Sequence, residues 1–426
     1  MPRADVEIRV LCVSLVLVAC VSFRAIPKIL RFFLSAEEWV PHFTSVINWV
    51  LRFGLALLSQ VAPINEAWVV ILDHSIDIGV KKVLVALRVR VNALAQRGSA
   101  LQLADCECIG IQISEKTDGE TIAEGLKRIF AQSGTPAAII KDGGSDLSRG
   151  VELWQAESQK PVEVIDDIGH VVANSLKAQY AKSKLFLLFL EIINRCAKKL
   201  RQTKLAFLAP PKIRTKGRFQ GINSLAKWAE KILLVLDETR QDPEYQKLRK
   251  ALFGLSKVKN FIRGFAESVI TTSAIMEILK NKGLNSENYQ RCLDLAMLLP
   301  ARSKMKQRIC QWLDKHLQIQ QRMNLGDKPL TVSSDIIESL FGKFKHIIER
   351  GSMLDMNRSV LIIPTLCGNL DAQSIQNALQ TTSHSAVSAW DKSNVPCTQN
   401  RRRHYFLRKT STGTVPKTGE FLSQTG

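Results

Sequence analysis

The chain has 426 residues, a formal net charge of +20 and a pI near 9.7, with 46% hydrophobic and 23% charged residues. That length allows roughly two to four domains with a sizeable core, and a soluble chain this basic meets a polyanion, either nucleic acid or an anionic membrane surface. The nine cysteines are odd in number and scattered, with no CxxC and no Cys–His pairing at zinc-finger spacing, which excludes a disulfide framework and predicts reduced thiols in a cytosolic protein.

Residues 10–23 run 14 positions without a charge. That is short for a membrane span and typical of a core helix. Leu17-Val18-Ala19-Cys20 fits the pattern that precedes a lipid-modified cysteine, but Asp5 and Glu7 offset Arg3 and Arg9, so the net positive charge of a signal peptide is missing. Residues 184–193 are apolar but short and flanked by basic residues, so no membrane partner is expected.

Helices are predicted over 6–20, over 22–34, and from Pro41, a residue suited to a helix start. The third carries Phe43, Val46, Ile47, Val50 and Leu51 on one face and Ser45, Asn48 and Arg52 on the other. Three short helices, the last exposing small polar residues and an arginine, have the layout of a helix-turn-helix over residues 1–62. Ser45, Asn48 and Arg52 are then candidate DNA contacts; a plain three-helix packing domain is the structural alternative.

Residues 68–73 (WVVILD) form a run of large apolar, β-branched residues that ends in an acid. This reads as a buried strand delivering a carboxylate at its C-terminal end. Further strands are predicted at 81–91 and 108–113, the first of them after a turn around Asp77–Gly79. A helix over 119–132 leads to a fourth strand, 137–141, which runs into Asp142-Gly143-Gly144. A helix over 145–156 and a fifth strand, 162–165, follow. The order β-β-β-α-β-α-β begins as an antiparallel meander and ends in parallel crossovers, which argues against an ordinary doubly wound sheet. Two acids at the ends of two core strands suggest a metal site.

Residues 167–330 read as nearly all helical, in segments 167–201, 221–240, 245–267, 271–280, 287–298 and 303–324. Between the first two, residues 205–219 form a basic loop in which Arg214, Lys216 and Arg218 are candidate phosphate contacts, as are Lys343 and Lys345 further on. One more helix, 333–350, has an apolar stripe of Ile337, Leu340, Phe341, Phe344 and Ile348 with Glu338 beside it. The tail from about 381 is rich in Ser, Thr, Gln and Asn and is expected to be loose.

An acid closing strand one, an acid closing strand four, a helical stretch after strand five and a Glu on a later helix resemble a DDE transposase of a bacterial insertion sequence. The resemblance implies an α/β RNase H-like catalytic core with a mixed five-stranded sheet, an N-terminal helix-turn-helix domain and a large all-α insertion. It divides the chain into residues 1–62 for DNA binding, 63–180 for the first part of the core, 181–330 for the insertion, 331–365 for the final catalytic helix and end of the core, and 366–426 for a basic, loosely structured tail. Carried over residue by residue, the catalytic and metal-holding triad is Asp73, Asp142 and Glu338, with gaps of 69 and 196 residues. Asp167 and His170 match the C/DxxH motif of several such families. Lys345, seven positions beyond Glu338, resembles half of the YREK signature of one group, although Thr331 and Ser334 stand where that signature has Tyr and Arg.

Phosphodiester transfer needs in-line attack with charge developing on the entering and leaving oxygens, which two Mg²⁺ ions stabilise. Mg²⁺ (or Mn²⁺) prefers hard oxygen ligands, and three carboxylates supply them; the sequence offers no His/Cys set for zinc. Each acid also admits a structural role. Asp73 can cap a turn, and Asp142 can be a turn residue, with Asp146 its rival as ligand. Glu338 can be a solvated helix acid, with Asp335 and Glu349 as rivals. Asp167 and His170 can be a helix-start acid and a packed histidine. Trp228 and Trp312 in the insertion are core residues or, less simply, stacking partners for a base. The resemblance implies cleavage of element ends and 3′-OH strand transfer into target duplex DNA by a homodimer or larger assembly, in a bacterial cytoplasm at the nucleoid. The alternative is a catalytically inactive, transposase-derived DNA-binding protein.

Overall fold

The computed structural model describes residues 3–35, 37–74, 81–158, 160–212, 219, 221–238, 242–348, 357–395, 398, 402–404 and 406–407. The first three helices are α1 (Arg3–Leu17), α2 (Ile26–Phe33) and α3 (Phe43–Ser59). Strands β1 (Trp68–Asp73) and β2 (Lys82–Arg90), the short α4 (Ala93–Arg97) and β3 (Cys106–Ser114) follow. Then come α5 (Gly119–Ser133), β4 (Ala138–Lys141), α6 (Ser145–Glu157) and β5 (Glu163–Asp166). A helical series runs through α7 (Ile168–Tyr180), α8 (Lys184–Arg201), α9 (Asn223–Asp237), α10 (Pro243–Leu252), α11 (Lys259–Lys282), α12 (Ser286–Met297) and α13 (Lys304–Arg322). The chain ends in α14 (Asp335–Ile348), α15 (Ala372–Thr381) and α16 (His384–Asn394). No helix among the described residues is long and apolar enough to cross a membrane.

By its contacts the chain divides into two compact units. The first comprises Met1–Ala93, Leu101–Ile165 and Ser334–Gly426; the second comprises Leu94–Ala100 and Asp166–Ser333.

The first unit holds one mixed five-stranded sheet in the order β3-β2-β1-β4-β5. β1 pairs antiparallel with β2, and β2 with β3, as a meander whose register shifts at Ala86/Leu87. β1 pairs parallel with β4, from Val69↔Ala138 to Leu72↔Lys141, with α5 as the connecting crossover helix. Alternation along β1 separates two faces. Trp68, Val70 and Leu72 join one apolar cluster with Ile122, Leu126, Ile129 and Phe130 of α5 and with Leu147, Val151 and Trp154 of α6. Val69, Ile71 and Asp73 point to the other face. All six residues of β1 are buried, as expected for the central strand of a covered sheet. A mixed five-stranded sheet accompanied by this many helices fits an α/β core with a helical insertion.

α3 departs from the layout expected of a recognition helix. Every residue from Trp49 to Ala56 except Arg52 is buried, so the helix is apolar nearly all round and belongs to a core. α1, α15, α16 and the 3₁₀ turns Arg358–Ile362 and Pro364–Leu366 pack around it. Residues 1–62 therefore share a compact unit with the sheet. Where a loose tail is expected after 366, α15 and α16 form, because Ile375, Ala378, Leu379 and Val387 are buried in this unit. Asp77–Gly79 lie outside the described residues.

In the second unit the expected helix over 167–201 is two helices. The chain turns at Ala181–Ser183, where the Ser183 side chain caps α8 by accepting from the Phe186 N–H. The break expected near 268–270 falls instead at residues 253–258, a 3₁₀ stretch. α11 continues through Thr271, and the Thr272 hydroxyl satisfies itself on the Ser268 carbonyl at 2.9 Å. Tyr180, Phe186, Phe189, Phe261 and Phe265 form the aromatic centre of this unit, with neighbouring rings 5.2–6.4 Å apart.

Candidate active site

β1 ends in Asp73, and β4 is followed at once by Asp142. The parallel register that pairs Leu72 with Lys141 brings these two acids side by side when continued by one residue. Paired residues of adjacent parallel strands point to the same face, about 4.8 Å apart along the sheet. Asp73 and Asp142 thus stand at the carboxyl ends of neighbouring strands. Asp73 is 6% exposed, and its Oδ1 accepts the His74 N–H at 2.6 Å. Asp142 is half-buried; its Oδ1 accepts the Gly144 N–H at 2.9 Å, an Asx turn that orients the carboxylate. A Cβ on Gly144 would stand 2.9 Å from that same oxygen, so the turn is made for glycine.

α14 packs against β1, and none of its residues joins the α5–α6 cluster, so it covers the face that carries Asp73. Its stripe of Ile337, Leu340, Phe341 and Phe344 is buried. Glu338 lies exposed in the first turn of α14, where Asp335 also stands. Lys343 and Lys345 are half-buried on the same helix. The donor chemistry suits Mg²⁺, since all three side chains offer hard oxygens. The register pairs the two strands that the first two acids follow or close. Among the described residues, no three His, Cys, Asp or Glu side chains form a group that could hold a metal ion as they stand.

The second unit accounts for Asp167 and His170 locally. Asp167, 2% exposed, is the N-cap of α7; its Oδ1 accepts the His170 N–H at 2.8 Å, and the His170 ring Nδ1 lies 3.5 Å from the same oxygen. The neighbouring Asp166 is held by α13. Its N–H donates to His316 Nε2 at 3.1 Å, its carbonyl accepts the Trp312 indole N–H at 3.0 Å, and its Oδ2 accepts Lys315 Nζ at 2.9 Å. Trp312 is thus a structural residue, stacked on His316 with centroids 4.1 Å apart.

The expected DNA contacts of α3 fare differently from one another. Ser45 and Asn48 are half-buried. The Arg52 guanidinium donates to the carbonyls of Thr382 and Leu379 at the end of α15, so its charge serves a helix C-terminus within the fold. Burial, helped by Arg9 nearby, lowers its pKa from the ordinary value. Arg214, Lys216 and Arg218 lie outside the described residues.

Two further features were not legible as site elements. Lys141, buried just before Asp142, donates Nζ to the Ser148 hydroxyl of α6 at 2.9 Å; a lysine closing an apolar strand was the available signal. A cavity of about 420 Å³ opens beside the other end of β1, lined among others by Arg88, Arg90, Cys106 and Glu107. There the Arg88 guanidinium is already taken by Glu107, the Ala62 carbonyl and the Trp68 ring.

No family model and no curated protein matches the chain. Among solved structures it is similar to the Drosophila P element transposase strand transfer complex, at 11% identity and a TM-score of 0.38, over 79% of this chain and 94% of that one.

Proposed function

We propose that the chain is a metal-dependent DNA transposase with an RNase H-like core, in which Asp73 and Asp142 are the paired metal ligands and Glu338 the third. The observation that supports this reading is the sheet: an antiparallel meander followed by a strand parallel to β1, with Asp73 closing β1 and Asp142 directly after β4. The charge of +20 supports a polyanionic substrate.

Two Mg²⁺ or Mn²⁺ ions, when bound, supply activation of the attacking oxygen and stabilisation of the leaving 3′-oxygen. The protein's own part is positional. Asp73 is fixed by a buried strand end and Asp142 by its Asx turn, so their oxygens need little reordering to act as ligands. Glu338 completes the set from the covering helix, and Lys343 and Lys345 on that helix neutralise DNA phosphates. Holding two element ends together calls for a homodimer or larger assembly on DNA.

The test is strand cleavage of the DNA that flanks the gene, with Mg²⁺ or Mn²⁺, comparing the intact protein with Asp142→Asn. Metal-dependent 3′-OH ends from the intact protein alone are the expected result. DNA binding without cleavage by either protein would replace this reading with that of an inactive DNA-binding relative.

A further inference from the structure

Half of the chain's net charge sits in one stretch. Residues 192–229 contain ten lysines and arginines and no aspartate or glutamate. The described part of this stretch shows what the charge surrounds. Lys198, Lys199 and Arg201 occupy the last turn of α8, and Lys204 follows in the next turn; all four are exposed. Cations in a last helical turn complement the helix dipole, which would account for one or two of them. It does not account for Phe207, which stands 79% exposed in the 3₁₀ turn Ala206–Leu208 directly beyond them.

That phenyl ring is held outward by its surroundings. The Thr203 N–H donates to the Leu200 carbonyl at 3.0 Å, the Ala206 N–H to Thr203 at 3.1 Å, and the Leu208 N–H to Leu205 at 2.9 Å, so the chain between α8 and Phe207 is a series of tight turns. The turn also packs against α8. From α9, the Trp228 indole N–H donates to the Leu208 carbonyl at 3.0 Å. Trp228 is therefore a positioning residue that pins the turn presenting Phe207.

We propose that this surface of the second unit binds single-stranded DNA, with Lys198, Lys199, Arg201 and Lys204 on successive phosphates and Phe207 stacked on a base. In a duplex the base faces are stacked inward, and an exposed ring among cations gains nothing from them. An unpaired strand offers both a phosphate chain and open base faces, the two chemistries this surface presents. A ring already held outward loses little freedom on stacking. The choice of DNA among polyanions rests on the function proposed above; the surface belongs to the second unit, and the three carboxylates belong to the first.

The experiment is fluorescence anisotropy of the full chain with a labelled 20-nucleotide oligothymidine and with a 20-base-pair duplex, across a KCl series. Phe207→Ala should weaken oligothymidine binding by roughly 5- to 150-fold and leave duplex binding unchanged, and Phe207→Trp should restore it. Lys198→Gln/Lys199→Gln/Arg201→Gln should flatten the salt dependence of single-strand binding by about 2 in log–log slope. Trp228→Phe should reproduce part of the Phe207→Ala loss with the same salt slope. Equal affinity of Phe207→Ala and the intact protein for oligothymidine, or equal losses on both DNA forms, overturns the proposal. So does displacement of the DNA by anionic phosphatidylglycerol vesicles that bind through the same residues. Cleavage without a Phe207 effect would thus remove only this inference, and a Phe207 effect without cleavage would remove only the catalytic reading.

Discussion

Arg52 donates its Nε to the carbonyl oxygen of Thr382 at 2.5 Å, tying the middle of α3 to the end of α15 across 330 residues of chain. A second guanidinium nitrogen donates to the Leu379 carbonyl. Charge-assisted hydrogen bonds of this kind contribute about 1.5–3 kcal/mol, and their loss leaves carbonyls at a helix C-terminus unsatisfied. Arg52→Ala should therefore lower the unfolding free energy by about 2 kcal/mol in urea denaturation. A loss of DNA affinity with stability unchanged would return Arg52 to the role of a DNA contact.

Gly54, one helical step on, allows α3 to touch the 3₁₀ turn at Leu361. A Cβ there would stand 1.7 Å from the Leu361 carbonyl oxygen, a backbone atom that cannot swing away. Gly54→Ala should separate the two segments and cost about 2 kcal/mol or more, beyond the small gain alanine brings to a helix. Thermal unfolding compared with Gly342→Ala, where a Cβ meets nothing within 4 Å, isolates the clash from the helix propensity.

In the proposed site, a divalent cation shared by Asp73 and Asp142 would offset their charges. Mg²⁺ at about ten times its dissociation constant should raise the stability of the intact protein by about 1.4 kcal/mol, and chelation should remove that increment. Asp73→Asn and Asp142→Asn should each abolish the Mg²⁺-dependent part while leaving the metal-free protein as stable or more so. Calorimetry with and without Mg²⁺ checks this, and an undiminished Mg²⁺ effect in Asp142→Asn would remove that residue from the ligand set.

Cys12, Cys108 and Cys292 are free, buried cysteines. Burial pushes the thiols of Cys12, Cys108 and Cys292 up to about 12. Thiolate is the reactive form, so these three should resist iodoacetamide at pH 8 in the native protein and react once it is unfolded. Mass spectrometry of peptides labelled before and after denaturation reads this directly.

The hydrogen bond from Arg402 holds the Glu115 carboxyl below the ordinary carboxylate range, with Arg402 and Lys81 adding favourable charge. A folded-state pKa below the unfolded one means that the bond stabilises fully above the unfolded value near 4.5 and is lost as pH falls through the folded one. The segment around Arg402 should therefore come away from β3 on acidification below about pH 4.5. Hydrogen exchange of residues 402–407 should show it, and Glu115→Gln should show the same exchange at neutral pH.

Much of the first unit follows from local pattern. The run Trp68–Leu72 reads as a buried strand, because five consecutive large apolar residues, three of them β-branched, leave no polar face, and the acid that closes it then sits at a strand end. The same argument applies to Ile139–Lys141 before Asp142. Helices α5 and α6 follow from their spacing of Ile122, Leu126, Ile129 and of Leu147, Val151, Trp154. Even the strand order was narrowed by sequence, since three strands with no helix of crossover length between them favour a meander before the crossovers begin. What the residues of β1 and β4 do not contain is their register, which depends on how two distant segments pack against α5; it is this register that pairs Leu72 with Lys141, each directly before one of the two acids.

The fate of α3 was decided in three dimensions alone. Its sequence shows an apolar stripe and a polar remainder, and nothing local tells Arg52 whether solvent, DNA or a backbone carbonyl will meet it. The partners that bury it, Leu361, Leu379 and Thr382, arrive from the far end of the chain. The same holds for Phe207, whose neighbours in sequence give a basic loop and no direction. Its exposure goes with a turn whose Leu208 carbonyl accepts the Trp228 indole N–H from another helix. Periodicity and charge are properties of a segment and were readable in advance; which segment covers which is a property of long-range contacts, and only the folded chain settles it.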